Sequence, residues 1–188
     1  MQCPSCGRPI EFEEKYTKIL SCRYCNSILE LWGSELTKIW EQSEFIEFPS
    51  LFQVGKDCIY EWKKISIKWQ LRYEYDWGFF DKFYATVNGT QMYIREDDGT
   101  VIFSEDGKFQ TWKLTLIDKV PGATLDLWGK ELFIQEVGIF KLVSLKGSVM
   151  NTLIPGKEYE YLDGVHNGKI YFLEKEIWAD KLRICKQI

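Results

Sequence analysis

The run Lys63-Lys64-Ile65-Ser66-Ile67-Lys68-Trp69-Gln70-Leu71-Arg72-Tyr73-Glu74-Tyr75 places an apolar side chain at every second position from Ile65 to Tyr75. Successive side chains of an extended chain point to opposite faces, so this period belongs to a β-strand with one buried face. Working outward, further strand-like runs occupy residues 83–87, 91–95, 100–103 and 111–117. Asn88-Gly89, Asp98-Gly99 and Asp106-Gly107 lie between these runs. Each pair accepts positive φ and suits a two-residue hairpin, so the middle of the chain predicts an antiparallel meander. The last third repeats the rhythm at residues 125–128, 131–136, 140–145, 158–161, 169–173 and 182–185, separated by glycine turns. No long helical stripe follows Ser50. The expectation is a mainly β chain whose larger part is an antiparallel barrel-like or two-sheet domain, because open edges on so aromatic a sheet invite aggregation.

The chain has 188 residues, enough for one main core and a small appendage. Apolar residues make up 45% against 28% charged, which excludes global disorder. The net charge of −4 disfavours polyphosphate and anionic lipid as partners. No apolar run approaches the roughly 18 to 20 residues needed to cross a bilayer, and Met1 to Glu14 lacks a signal-peptide core. A soluble cytoplasmic protein without membrane insertion is expected.

Four of the six cysteines fall as Cys3-Pro4-Ser5-Cys6 and Cys22-Arg23-Tyr24-Cys25, with fifteen residues between the inner pair. This is zinc-ribbon spacing: each two-residue gap lets a tight turn aim two thiolates at one ion, and two turns complete a tetrahedron. Gly7 and Asn26 follow the second cysteine of each pair, where a positive φ is often needed. Ile10-Glu11-Phe12-Glu13 and Lys18-Ile19-Leu20 suggest a short hairpin joining the turns. Disulfides are the rival pairing, favoured in secreted chains. Cys3, Cys6, Cys22 and Cys25 are expected to bind Zn2+ in a closed structural site, since four sulfurs leave no position for water or substrate. Roughly 30 residues cannot build a sufficient core, so the ion must supply folding energy, on the order of 10 kcal/mol in comparable peptides. Arg8, Lys15, Lys18 and Arg23 are offset by Glu11, Glu13, Glu14 and Glu30, which argues against a phosphate-binding face.

The expected organisation is a zinc ribbon at 1–32, a connector at 33–50 and a β-rich domain at 51–188. Leu36, Ile39, Trp40 and Phe45 in the connector fit either a short helix behind Ser34 or an extended strand, ended by Pro49. Residues 121–127 resemble 155–161 and residues 129–134 resemble 168–173, with a slip of five residues between the matches. This is either a duplicated hairpin or the general rhythm of a glycine-punctuated sheet.

The order of the ribbon, Ser50-Leu51-Phe52-Gln53-Val54-Gly55, Tyr93-Ile94-Arg95-Glu96-Asp97-Asp98-Gly99, Pro121-Gly122-Ala123-Thr124-Leu125 and the closing 155–174 segment, with Tyr161-Leu162-Asp163-Gly164, resembles a bacterial family. In that family a zinc ribbon precedes the domain of unknown function 4178, and the resemblance covers nearly the full length. One departure is Phe80-Asp81-Lys82-Phe83-Tyr84, where Lys82 stands in place of the family's glutamate, so a role of that acid does not transfer here. The resemblance implies an accessory protein with no agreed enzymatic activity, encoded beside membrane-stress and polyamine-synthase-like genes.

Other candidate chemistry has a plainer structural reading. His166, the sole histidine, sits in Asp163-Gly164-Val165-His166-Asn167-Gly168, which reads as an exposed turn. Cys58 and Cys185 lie in apolar strand contexts and read as inert buried thiols. Glu96-Asp97-Asp98, with Glu105 and Asp106, lacks the ordered spacing of a calcium loop. The Gly-Lys pairs lack the remaining residues of a phosphate loop. Lys63, Lys64 and Lys68 read as a solvated sheet edge. Trp62, Trp69, Tyr73, Tyr75, Trp77, Phe79 and Phe80 fit core filling, a protein interface, or a stacking platform for a small molecule or nucleic acid. No catalytic residue is assigned. The expected function is a non-catalytic adaptor with a protein partner. The alternatives are a small-molecule-binding or hydrolytic β domain and a nucleic-acid-binding ribbon.

Overall fold

A computed structural model describes residues 1–11, 17–41, 49–105, 115–149, 153–177, 179 and 181–188, and the backbone of 108–111. Phe12 and Glu13 of the expected ribbon hairpin, Phe45, the Asp106-Gly107 turn and residues 112–114 lie outside these. Three strands belong to the amino-terminal part, β1 (Ile19–Ser21), β2 (Ile28–Trp32) and β3 (Glu35–Trp40). The connector residues Leu36, Ile39 and Trp40 are therefore extended. Next come β4 (Asp57–Tyr60), β5 (Lys63–Tyr75), β6 (Gly78–Val87), β7 (Thr90–Asp97), β8 (Thr100–Glu105) and β9 (Lys108–Thr111). The series closes with β10 (Thr124–Asp126), β11 (Glu131–Val149), β12 (Glu158–His166), β13 (Lys169–Glu176) and β14 (Lys181–Lys186).

The expected antiparallel sheet forms, in the order β8-β7-β6-β5-β11-β12-β13-β14-β9. It curls towards a barrel without closing. Among the described residues, its turning ends meet where Ser104 bridges Gln187 and the Ile188 N–H donates to the Phe103 carbonyl at 3.1 Å. Asn88-Gly89, Asp98-Gly99 and Asn167-Gly168 all have positive φ at both positions, as a hairpin turn matched to strand twist requires.

Several expectations are corrected. Residues 131–136 and 140–145 are one strand, β11, with irregularities at Ile134/Glu136 and Leu142/Ser144. Gly138 does not break it; this glycine makes room for the Tyr161 ring, which a Cβ would approach to 2.6 Å. The 163–168 segment is mostly strand, with only Asn167-Gly168 turning. Residues 115–117 are not strand: the buried Leu116 donates its N–H to the Glu160 carboxylate at 2.6 Å. The lysine-bearing β5 is not an edge either, since β6 flanks it on one side and β4 and β11 on the other. In the two similar segments, a Pro-Gly turn leads to a hairpin in each case. The hairpin strand is three residues long in β10 and nine in β12, which accommodates the slip in register.

Both faces of the sheet are covered. Outside, Phe52 packs on Ile65, Ile67, Phe83 and Ile94, while Leu116, Leu125 and Leu127 pack with Leu132, Leu162 and Leu173. Inside the curl, Trp69 stacks on Tyr84 at 5.2 Å and Tyr73 on Phe80 at 5.0 Å, with Phe140, Tyr159 and Phe172 beside them. Trp62 and Trp77, from the same aromatic stretch, are exposed.

Charges cross this aromatic interior. Lys82, 3% exposed, lies on the same face as Phe80 and Tyr84 and donates to both Glu174 oxygens at 2.8 Å. Arg183 reaches Glu174 at 3.2 Å, and Arg95 binds Asp163 at 2.8 Å and Asp97 at 2.9 Å. The Arg95 guanidinium lies between the rings of Phe80 and Phe172, at 4.9 and 4.8 Å. Burial works to raise the Glu174 carboxyl, but Lys82 and Arg183 outweigh it and hold it below its usual 4.5. Asp163 shifts the other way: burial raises it, and Arg95 only partly compensates.

Two outcomes follow from these contacts. Gly147 has φ +93, and a Cβ there would meet the Lys68 carbonyl at 2.6 Å. Gly147→Ala should therefore lower stability by about 2 kcal/mol or more, read by thermal unfolding. Glu174→Gln removes the carboxylate charge that Lys82 and Arg183 share and should cost about 3–5 kcal/mol at neutral pH. Because the folded Glu174 pKa is depressed, its stabilisation is present above pH 4.5 and lost as pH falls through the folded value. Urea unfolding of both proteins should show the gap narrowing as pH falls below 4.5 towards the depressed folded value.

Candidate metal centre

The two cysteine turns are built alike. In the first, the Gly7 N–H donates to the Cys3 carbonyl at 2.8 Å and the Cys3 N–H to the Arg8 carbonyl at 2.8 Å. In the second, the Asn26 N–H donates to Cys22 at 2.8 Å and the Cys22 N–H to Ser27 at 2.9 Å. Gly7 at φ +71 and Asn26 at φ +57 close the turns, the conformation expected from their residue types. The second turn joins β1 to β2, so the register Leu20↔Leu29 and Ser21↔Ile28 fixes where Cys22 and Cys25 stand.

The turns bring Cys3, Cys6, Cys22 and Cys25 together with all four Sγ atoms within 4.8 Å of one another. Cys3 and Cys25 are 3.7 Å apart and Cys6 and Cys22 3.8 Å. Four sulfurs at roughly 2.3 Å from a central ion would be separated by about 3.8 Å along each tetrahedral edge, so the cage has the right size for a metal. None of the six cysteines forms a disulfide, and these separations far exceed the roughly 2.05 Å of an S–S bond. The sulfurs also divide in acidity. Burial opposes ionisation of Cys25, but hydrogen bonding with Ser27 and the neighbouring thiols outweighs it and lowers it to about 6. A backbone hydrogen bond at Arg8 favours the Cys6 thiolate; burial and the three other sulfurs nevertheless push it up to about 12. Four thiolates in one cage repel one another, and a bound cation removes that penalty.

A small core supports the cage. Ile10, Leu20 and Leu29 are buried with Cys3 and Cys22, and Leu36 of β3 packs against them. Alternation along β1 then links this core to the large one. Leu20 faces the cysteines, whereas Ile19 joins the interior with Trp69, Leu145 and Val149. β1 also pairs with the end of β11 through Ile19↔Val149 and Leu20↔Ser148, and the Gly147 N–H donates to Ser21 Oγ at 3.0 Å. Around the cage, Arg8 and Arg23 lie over the Tyr24 ring at 5.5 and 5.1 Å, and Arg23 also meets Glu11 at 3.5 Å.

Other sequence candidates are dispersed. His166 Nδ1 lies 2.8 Å from the Glu131 carbonyl oxygen and its other nitrogen 3.0 Å from the Asn167 side chain. Cys58 stands opposite Ile65 in the β4–β5 hairpin and packs against the Phe52 cluster, to which His166 does not belong. Cys185 is buried in the aromatic interior. Asp97 accepts from Arg95 and Tyr75, and Glu96 accepts from Ser50 Oγ. Among the described residues, the four-cysteine group is the one placed to hold a metal. Sequence reasoning missed the interior ion pairs. Their signal was Lys82 itself, a charge in the apolar register between Phe80 and Tyr84.

No family model matches the chain, and neither a curated protein nor a solved structure does. Among the described residues, no helix is long and apolar enough to cross a membrane.

The cage geometry makes metal removal a local event with a countable signature. A strong chelator added to the metal-loaded chain should make Cys3, Cys6, Cys22 and Cys25 reactive towards a thiol reagent. Amide exchange should rise in the β1–β2 hairpin while β12 and β13 remain protected.

Proposed function

We propose that this chain is a non-catalytic accessory protein of the bacterial cytoplasm, in which a structural zinc ribbon and a β domain together present a surface to a protein partner. The observation that carries the reading is the four-sulfur cage. Four soft sulfur ligands within 4.8 Å of one another suit zinc, and a fully sulfur-ligated ion has no place for water to be activated. Free thiolates also require a reducing compartment, in keeping with the cytoplasm.

The β domain supports a binding role because, among the described residues, its interior is largely filled. Aromatic rings and mutually neutralising ion pairs leave a cavity of about 20 Å³ beside Lys82, Tyr93, Arg95 and Cys185, room for a single water. Contact with other molecules then falls to the outer surface, where several large apolar side chains are exposed. The resemblance to zinc-ribbon proteins carrying the domain of unknown function 4178 adds a setting, a membrane-stress assembly in which the partner is another protein of the same system.

Elemental analysis of the purified chain should find one zinc per molecule, and Cys22→Ser should abolish it. Affinity capture from cells should recover a protein partner with the intact chain and lose it when residues 1–32 are removed. A chain free of zinc overturns the metal assignment. A stoichiometric metabolite in place of a protein overturns the adaptor role.

A further inference from the structure

The turn between β4 and β5 contains neither glycine nor asparagine. Its central residues are Glu61 at φ +48 and Trp62 at φ +64. Such a two-residue turn normally selects Asn-Gly or Asp-Gly, because a bulky side chain is strained in the left-handed region. Here the strained position carries tryptophan, and that tryptophan is 99% exposed. Both its backbone conformation and its hydration are unfavourable in the isolated chain. Strain held at an exposed aromatic is the kind that a contact explains.

The tip is held firmly. Tyr60, at the end of β4, stacks on Phe103 of β8 at 4.1 Å and 21°, and Lys64 binds Asp57 across the hairpin at 2.7 Å. Next to the tip runs an open groove of about 780 Å³, whose apolar lining includes Tyr60, Ile65, Val87, Met92, Val101 and Phe103. Its rim carries Glu61, Lys63 and Glu105, and the exposed carboxy-terminal Ile188 borders it. An exposed apolar knob and an apolar hole thus sit side by side on one molecule, edged by charges of both signs.

We propose that this surface pairs with a second copy of the chain about a twofold axis, each Trp62 entering the other copy's groove. A twofold interface must be complementary to itself, and a neighbouring knob and hole meet that condition directly. The charges meet it as well, because Lys63 of one copy faces an acidic rim, Glu61 and Glu105, on the other. A single anchor per side in a modest groove gives a small interface, so the association is concentration-dependent and not obligate. It is independent of the metal-cage and adaptor readings, since no cysteine of the cage touches this surface.

Sedimentation velocity on the full chain, from roughly 1 µM to 1 mM, should show monomer passing to dimer. Trp62→Gly suits the left-handed turn, so it should keep or raise thermal stability while weakening the dimer roughly 30-fold or more, as loss of an interface anchor does. Lys63→Glu and Glu105→Lys should each weaken self-association, and a mixture of the two should recover it as a mixed dimer. A wild-type chain that stays monomeric throughout overturns the proposal, as does a dimer indifferent to Trp62→Gly. Binding to phosphatidylserine vesicles that depends on Trp62 without self-association would assign the tip to a membrane surface and equally overturn it.

Discussion

The structure depends on one uninterrupted strand. β11 runs from Glu131 to Val149 and pairs with β5 and β12 along its length, with β10 near its start and with β1 at its end. It carries the meander of β5 to β8 on one side and the carboxy-terminal hairpins on the other. Two glycines make this continuity sterically feasible. Gly138 admits the Tyr161 ring against the strand, and Gly147 takes a left-handed conformation close to the Lys68 carbonyl. Larger residues would push apart ladders that the rest of the fold needs closed.

Across the curl, the two halves joined by β11 are tied by charge as well as by ring packing. Lys82 on β6 meets Glu174 on β13, and Arg95 on β7 meets Asp163 on β12. Buried ion pairs of this kind add little net stability, because desolvating each charge costs about as much as the attraction returns. Their effect is on register. A one-residue slip of β6 or β13 would turn Lys82 or Glu174 to the opposite face and leave its partner buried and unpaired, whereas aromatic rings alone tolerate some sliding.

How much of this was legible follows from which features are local. Period-two alternation marked β5, and Asn88-Gly89 and Asp98-Gly99 marked hairpin turns that do form, because both signals are set by the residues themselves. The cysteine spacing announced its cage for the same reason: two short turns need only be brought together. Pairing between distant strands leaves no local trace, so the central position of β5 and the continuity of β11 could not be read. Gly138 misled because glycine signals a turn and a close ring contact in the same letter. Lys82 in an apolar register signals a buried charge but not its partner, because the carboxylate that permits its burial lies 92 positions away.

The position of β1 gives the cysteine cage a part in guarding the sheet. Ile19 and Leu20 face opposite ways from one short strand, one into each core, while the backbone of β1 occupies the edge of β11 at Ser148 and Val149. Oxidising these cysteines would disturb the small core that backs this strip of main chain. Bare strand edges recruit foreign strands. The redox poise of the surrounding compartment therefore bears on the solubility of the whole chain, through a fragment that contributes only a minor part of its mass.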